Sequence, residues 1–178
     1  MKYRLGPLIF LLLILLSSCN SPNEPSVSAS KAIYLDGTEI SQEQLELYKQ
    51  RNRAQVLAEY AAEDEEVIQK ELEKRAKAEC YYEQMVLIVA EEKGLIDSAS
   101  FADIKAQMEA ENRRRGEALE EGQTVYGNKE YSLDTYVSYY ISNLSRELEE
   151  ILFEEGKEDK AKLFEQYIQE RVDRASKE

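Results

Sequence analysis

The chain has 178 residues and a formal charge of −13, from 36 acidic and 23 basic side chains, with no histidine and two cysteines. So anionic a chain is repelled by nucleic acid and by anionic headgroups, which argues against a polyanion partner. Without histidine the commonest general base, the Ser-His-Asp arrangement and most zinc sites are excluded, and two cysteines are too few for a thiolate cluster.

Lys2 and Arg4 open the chain, and residues 8–16 form an unbroken apolar run. That run is far short of the roughly 20 residues a spanning helix needs, so residues 1–18 read as a cleaved export signal. Leu16-Ser17-Ser18-Cys19 resembles a bacterial lipobox. The resemblance implies that the Cys19 thiol receives a diacylglycerol and that the new amino terminus is acylated, palmitate being a typical chain. It places a lipid-anchored protein on the extracytoplasmic face of a bacterial membrane. Several acyl chains, at about 0.8 kcal/mol per buried CH₂, hold far better than one. The alternative is an ordinary secretory signal whose cut precedes a cysteine. Cleavage removes Lys2 and Arg4, so the formal charge of −13 becomes −15. Residues 19–31, rich in Ser, Pro and Asn, read as a flexible tether.

From residue 32 to 178 the sequence reads as one mainly helical domain. Glu, Lys, Ala and Leu dominate, and no proline falls after Pro25, so long helices are permitted. Residues 32–35 predict a short strand, Asp36-Gly37 a turn, and 38–40 the returning strand. Ser41 is a good N-cap for a first helix over 42–61, whose apolar positions are Leu45, Tyr48, Val56, Leu57 and Tyr60, with a polar middle. A second helix over 64–93 carries Ile68, Leu72, Ala76, Cys80, Met85 and Ile88 at helical spacing. Its last third is apolar nearly all round, which belongs mid-core. Gly94-Leu95 supplies a stop with a hydrophobic cap contact. Asp97 or Ser98 is expected to cap a third helix bearing Phe101, Ile104 and Met108, followed by a charged stretch in which Glu109–Arg113 and Glu111–Arg115 pair at i,i+4. Thr124, Val125 and Tyr126 offer a strand that could pair with 32–35. Ser132 caps a fourth helix lined by Leu133, Val137, Tyr140, Leu144, Leu148 and Ile151, ended by Gly156. A fifth, over 158–175, carries Ala161, Phe164, Ile168 and Val172 on one stripe.

Chemistry-bearing motifs are few. There is no Gly-rich phosphate loop and no calcium-loop pattern. No catalytic residue, cofactor or metal ligand is assigned. With Cys19 acylated, Cys80 has no disulfide partner, and it reads as a small core residue rather than a reactive thiol. Tyrosine is enriched, twelve against four Phe and no Trp, and Tyr126, Tyr131, Tyr136, Tyr139 and Tyr140 crowd into 126–140. Tyr136 and Tyr140 share a helix face, with Tyr139 about 60° away. Tyrosine joins rigid apolar area to a polar tip, which suits contact with varied peptide surfaces. Tyr126, Tyr136, Tyr139 and Tyr140 are therefore the candidate peptide-binding residues; the competing reading is a wet edge of the core.

The segment Leu35-Asp36-Gly37-Thr38-Glu39-Ile40-Ser41, behind a lipobox and tether and before a long helix, resembles the opening of the SurA/PrsA group of extracytoplasmic chaperone-isomerases. Glu92-Lys93-Gly94-Leu95-Ile96, Ser100-Phe101, Glu111-Asn112-Arg113-Arg114, Tyr126-Gly127 and Tyr131-Ser132 with Tyr136 resemble bacterial lipoproteins described as isomerase-like. The resemblance implies a helical chaperone-type domain. The parvulin domains that carry isomerase activity in that group need paired histidines, and this chain has none, so prolyl isomerase activity is not implied. The expected function is a non-catalytic holdase or peptide-binding module for unfolded or exported polypeptides. Two alternatives remain: a structural or assembly subunit of a cell-envelope complex, and an enzyme working with carboxylates and tyrosine alone.

Overall fold

Asp36 and Gly37 both hold positive φ, 48° and 79°. This is the backbone of a two-residue hairpin turn, whose twist matches the strands it joins, and Gly37 takes its position without a Cβ penalty. The turn joins β1 (Ile33–Leu35) to antiparallel β2 (Thr38–Ile40), with Ile33 opposite Ile40 and Leu35 opposite Thr38. Period-two alternation puts Leu35 and Ile40 into the core and leaves Tyr34 and Glu39 outside. The computed structural model describes residues 33–153 and 159–177. The expected export signal (residues 1–18), Cys19, the expected tether (19–31) and the expected helix stop at Gly156 lie outside the described residues.

Five helices follow: α1 (Gln42–Glu59), α2 (Glu65–Glu92), α3 (Phe101–Glu120), α4 (Leu133–Leu152) and α5 (Lys160–Ala175). The protein is thus mainly helical, with one two-stranded sheet. No described helix is long and apolar enough to cross a membrane. Ser41 and Ser132 begin α1 and α4 by accepting the backbone N–H of Gln44 and of Thr135, which satisfies a donor the first turn leaves open. Asp159, in the left-handed region, does the same for α5 through Lys162 N–H.

Helix α2 is the spine. Its 28 residues make a rod of about 42 Å, against which β1, α1, α4 and α5 all pack. From Gln84 to Ala90 every residue is buried, because neighbours surround it there. The rod stops at Gly94: Gly94 N–H reaches the carbonyl of Glu91 and Leu95 N–H that of Ala90, both at 2.9 Å. With Gly94 at φ 72° this is a Schellman stop, and Leu95 folds back against the core. A small second cluster, Val56, Ile68 and Leu72 with Tyr60 beside it, closes the far end of the α1–α2 pair.

Several expectations are corrected. Helix α3 begins after Ser100, not after Asp97 or Ser98. Ala99 is buried and its backbone is tied on both sides, its N–H donating to Glu91 Oε2 and its carbonyl accepting from Gln84 Nε2, so the helix starts only beyond it. Thr124–Tyr126 forms no strand; the sheet contains β1 and β2 alone among the described residues. Helix α1 ends two residues early, at Glu59. Leu57, Ile151 and Ala161 face solvent, while Leu47 joins Tyr48 and Val56 in the buried set of α1 and Ile141 joins Val137, Leu144 and Leu148 in that of α4. The Glu111–Arg115 pair forms, but Arg113 has no carboxylate partner among the described residues.

Candidate functional site

The buried part of α3 ends early. Phe101 and Ile104 are its buried residues, so the remaining turns need another attachment. The segment 121–132 supplies it. Asn112 binds the backbone of Tyr131 twice, accepting its N–H at 2.8 Å and donating to its carbonyl at 2.9 Å. Arg115 donates to the carbonyls of Tyr126 (3.0 Å) and Asn128 (2.6 Å), and its guanidinium lies 4.7 Å from the Tyr131 ring centroid. Its side chain is 11% exposed and is also paired to Glu111. Hydrogen bonding from Arg114 and then from Arg115 pulls the Glu111 carboxyl down to about 2.

This clamp fixes Tyr131, around which the tyrosines gather. Tyr131 meets Tyr136 edge to face at 5.6 Å and stacks on Tyr139 at 6.3 Å; Tyr136 stacks on Tyr140 at 6.1 Å. The structure therefore joins Tyr136, Tyr139 and Tyr140 into one strip through Tyr131. It leaves Tyr126 outside these ring contacts, with its side chain projecting. Tyr139 is 57% exposed and Tyr126 85%; Tyr136 and Tyr140 are half-buried against the core. Partial burial, with Tyr140 and Glu111 nearby, raises the Tyr136 phenol above its ordinary value. The ring faces are thus held at fixed angles while part of their area stays in water. Sequence reasoning counted Tyr131 in the crowd without giving it a role, and it missed Arg115 and Asn112. The signal for Arg115 is the arginine run 11 to 18 residues before Tyr126 and Tyr131, which the sequence presents as a self-paired face, with Asn112 just ahead of it.

A second cluster lies under the polar middle of α1. Arg51, 19% exposed, donates to Glu79 (2.6 Å) and Glu83 (2.8 Å) on α2 and to Asp134 (2.8 Å) on α4. Tyr48 donates its hydroxyl to Glu83 at 2.6 Å. Burial raises the Glu83 carboxyl, while the Tyr48 hydrogen bond and the Arg51 charge oppose that rise. One cation holding three carboxylates from two helices is a structural joint: its groups are spent on one another. Cys80, buried nearby, is pushed up to about 12 by burial and then by Glu83 and Glu79, so the thiolate that would react is scarce.

Among the described residues no group of three acidic or cysteine side chains is placed to hold a metal ion. Comparison with protein-family models, with curated proteins and with solved structures gave no match in any of the three.

Proposed function

We propose that this chain is a lipid-anchored extracytoplasmic module that binds unfolded or exported polypeptides without catalysis, with the tyrosine strip as its binding surface. The observation that carries the reading is the strip itself: ring faces partly in water, yet clamped by Arg115 and Asn112. Rigid aromatic area loses little entropy when a partner covers it. Each aromatic contact adds about 0.5–1.5 kcal/mol beyond its area, so a few rings give a weak, reversible grip suited to holding and releasing changing segments. Ring faces read apolar groups rather than sequence, so selectivity is low and salt matters little. The anchor through Cys19, the SurA/PrsA-like domain and the absence of isomerase activity belong to the same proposal.

The test is light scattering of a chemically denatured client diluted with and without the full chain. Suppression at near-stoichiometric ratio supports the holdase reading. Scattering that is unchanged at tenfold excess, with a stable complex captured from envelope extracts, supports an assembly subunit instead. For the anchor, Cys19→Ala should release the protein from the detergent phase; partition identical to wild type contradicts lipidation.

A further inference from the structure

Beside the strip runs an open groove of about 580 Å³ between the α2–α3 connection and α3. Its apolar wall is Leu95, Ile96, Ala106 and the ring of Tyr140; Asp97 and Asp103 stand along it, and no basic side chain lines it. Asp97 and Asp103 have no ion-pair partner among the described residues, and both are exposed. Asp103 sits in the first turn of α3, where the helix dipole favours its charge. Tyr140 stacks on Tyr136, so the groove continues the aromatic strip. A neighbouring groove across α3 differs: there Lys105 is already bound to Glu43.

Resting on the function proposed above, we infer that this groove takes a basic, apolar stretch of polypeptide, with lysine or arginine side chains at Asp97 and Asp103 and apolar side chains against Leu95, Ile96 and Tyr140. The complement is one of charge and shape. The Schellman stop at Gly94 fixes Leu95 and aims the connection along α3, so the apolar wall is preformed. The two free carboxylates then discriminate between segments that the ring faces alone would hold equally. The site thus adds charge selectivity to an otherwise indiscriminate grip.

Fluorescence anisotropy of labelled peptides of about ten residues tests this on the full-length chain. One peptide alternates lysine with leucine and tyrosine; its two partners carry glutamine or glutamate in place of lysine. Two exposed ion pairs predict that the lysine peptide binds roughly threefold to tenfold tighter than the glutamine peptide at low salt, a preference lost as ionic strength rises to about 0.5 M. Asp97→Asn with Asp103→Asn should remove the preference and leave glutamine-peptide binding intact. Because losing Asp103 also weakens the α3 terminus, Gln107→Lys serves as a second variant. It puts a cation at an exposed groove position beside the two aspartates and should weaken the preference without changing the melt. If the preference survives both variants at its wild-type size, the groove inference is overturned while the strip reading stands. If no peptide binds the wild-type chain, both fall. If the Asp variants abolish only self-association in light scattering, the occupant is a second copy of this chain and the peptide inference is wrong.

Discussion

Replacing Arg115 by alanine removes the pin between α3 and the tyrosine-bearing segment, and its cost follows from the contacts. Two charged hydrogen bonds to backbone carbonyls are lost, at 3.0 and 2.6 Å, along with the guanidinium over Tyr131 at 4.7 Å. Taking the low end for bonds to a charged group, about 1.5 kcal/mol each, and about 1 kcal/mol for the cation–π contact, the gross loss is about 4 kcal/mol. Water recovers part of this at the freed carbonyls, leaving about 3 kcal/mol. The loss is local. Phe101 and Ile104 anchor α3 upstream, so the far turns and segment 121–131 can detach without opening the core. Native-state hydrogen exchange should therefore speed up about 100-fold for amides of 112–131, while amides of 84–90 keep their protection. The melting temperature should fall by only a few degrees, and Arg115→Lys, which keeps the charge but loses the fork, should lie between. Exchange in 112–131 unchanged from wild type would refute the clamp. Equal acceleration throughout α2 would refute its being local.

Three further outcomes follow from the core. Arg51→Met strips the cation from Glu79 and Glu83 and should cost about 3 kcal/mol at pH 7. The folded Glu83 carboxyl is raised by burial, so its stabilising share is complete below the unfolded value and lost as pH rises through the folded one. The deficit in urea melts should therefore shrink on acidification; a pH-independent deficit would contradict the joint. Ile88→Ala, in the all-round apolar part of α2, should cost about 2–5 kcal/mol; a melting temperature within a degree of wild type would make that helix peripheral. Cys80 should resist a thiol reagent in the native protein and react at once in denaturant, and rapid native labelling would contradict its burial.

Most of the fold is legible where one local signal agrees with packing. In α2 the apolar pattern widens from a stripe at Ile68, Leu72 and Ala76 to all faces at Gln84–Ala90, which marks both the helix and its central place. Ser41, Ser132 and Gly94-Leu95 punctuate helices by chemistry that needs no tertiary help. The rest is decided by distant partners. Asp97 and Ser98 both look like caps, and it is Glu91 and Gln84, by tying down the Ala99 backbone, that move the helix start to Ser100. Thr124–Tyr126 has strand-forming residues, yet Arg115 takes the Tyr126 carbonyl. The polar middle of α1 looked like a gap in the stripe. It is the stripe continued in another chemistry, since Tyr48, Arg51 and Asn52 face Glu79 and Glu83. Of the site, the tyrosine faces were readable from helical spacing. Tyr131 as their hub was not, because its place depends on two side chains of α3.

The proposed role of the tyrosine strip is to bind clients from the surface rather than to fill the core. Tyr139→Ala tests it most directly, with Tyr136→Ala beside it. Tyr139 is 57% exposed, and its ring contact is the stack on Tyr131 at 6.3 Å, so truncation should cost about 1 kcal/mol of stability or less. Binding of a denatured client, read by anisotropy on the full chain, should nevertheless fall at least fivefold for Tyr139→Ala, and further for Tyr136→Ala. Client binding equal to wild type in both variants would contradict the account. So would losses of binding that only track large losses of stability, for the strip would then be core.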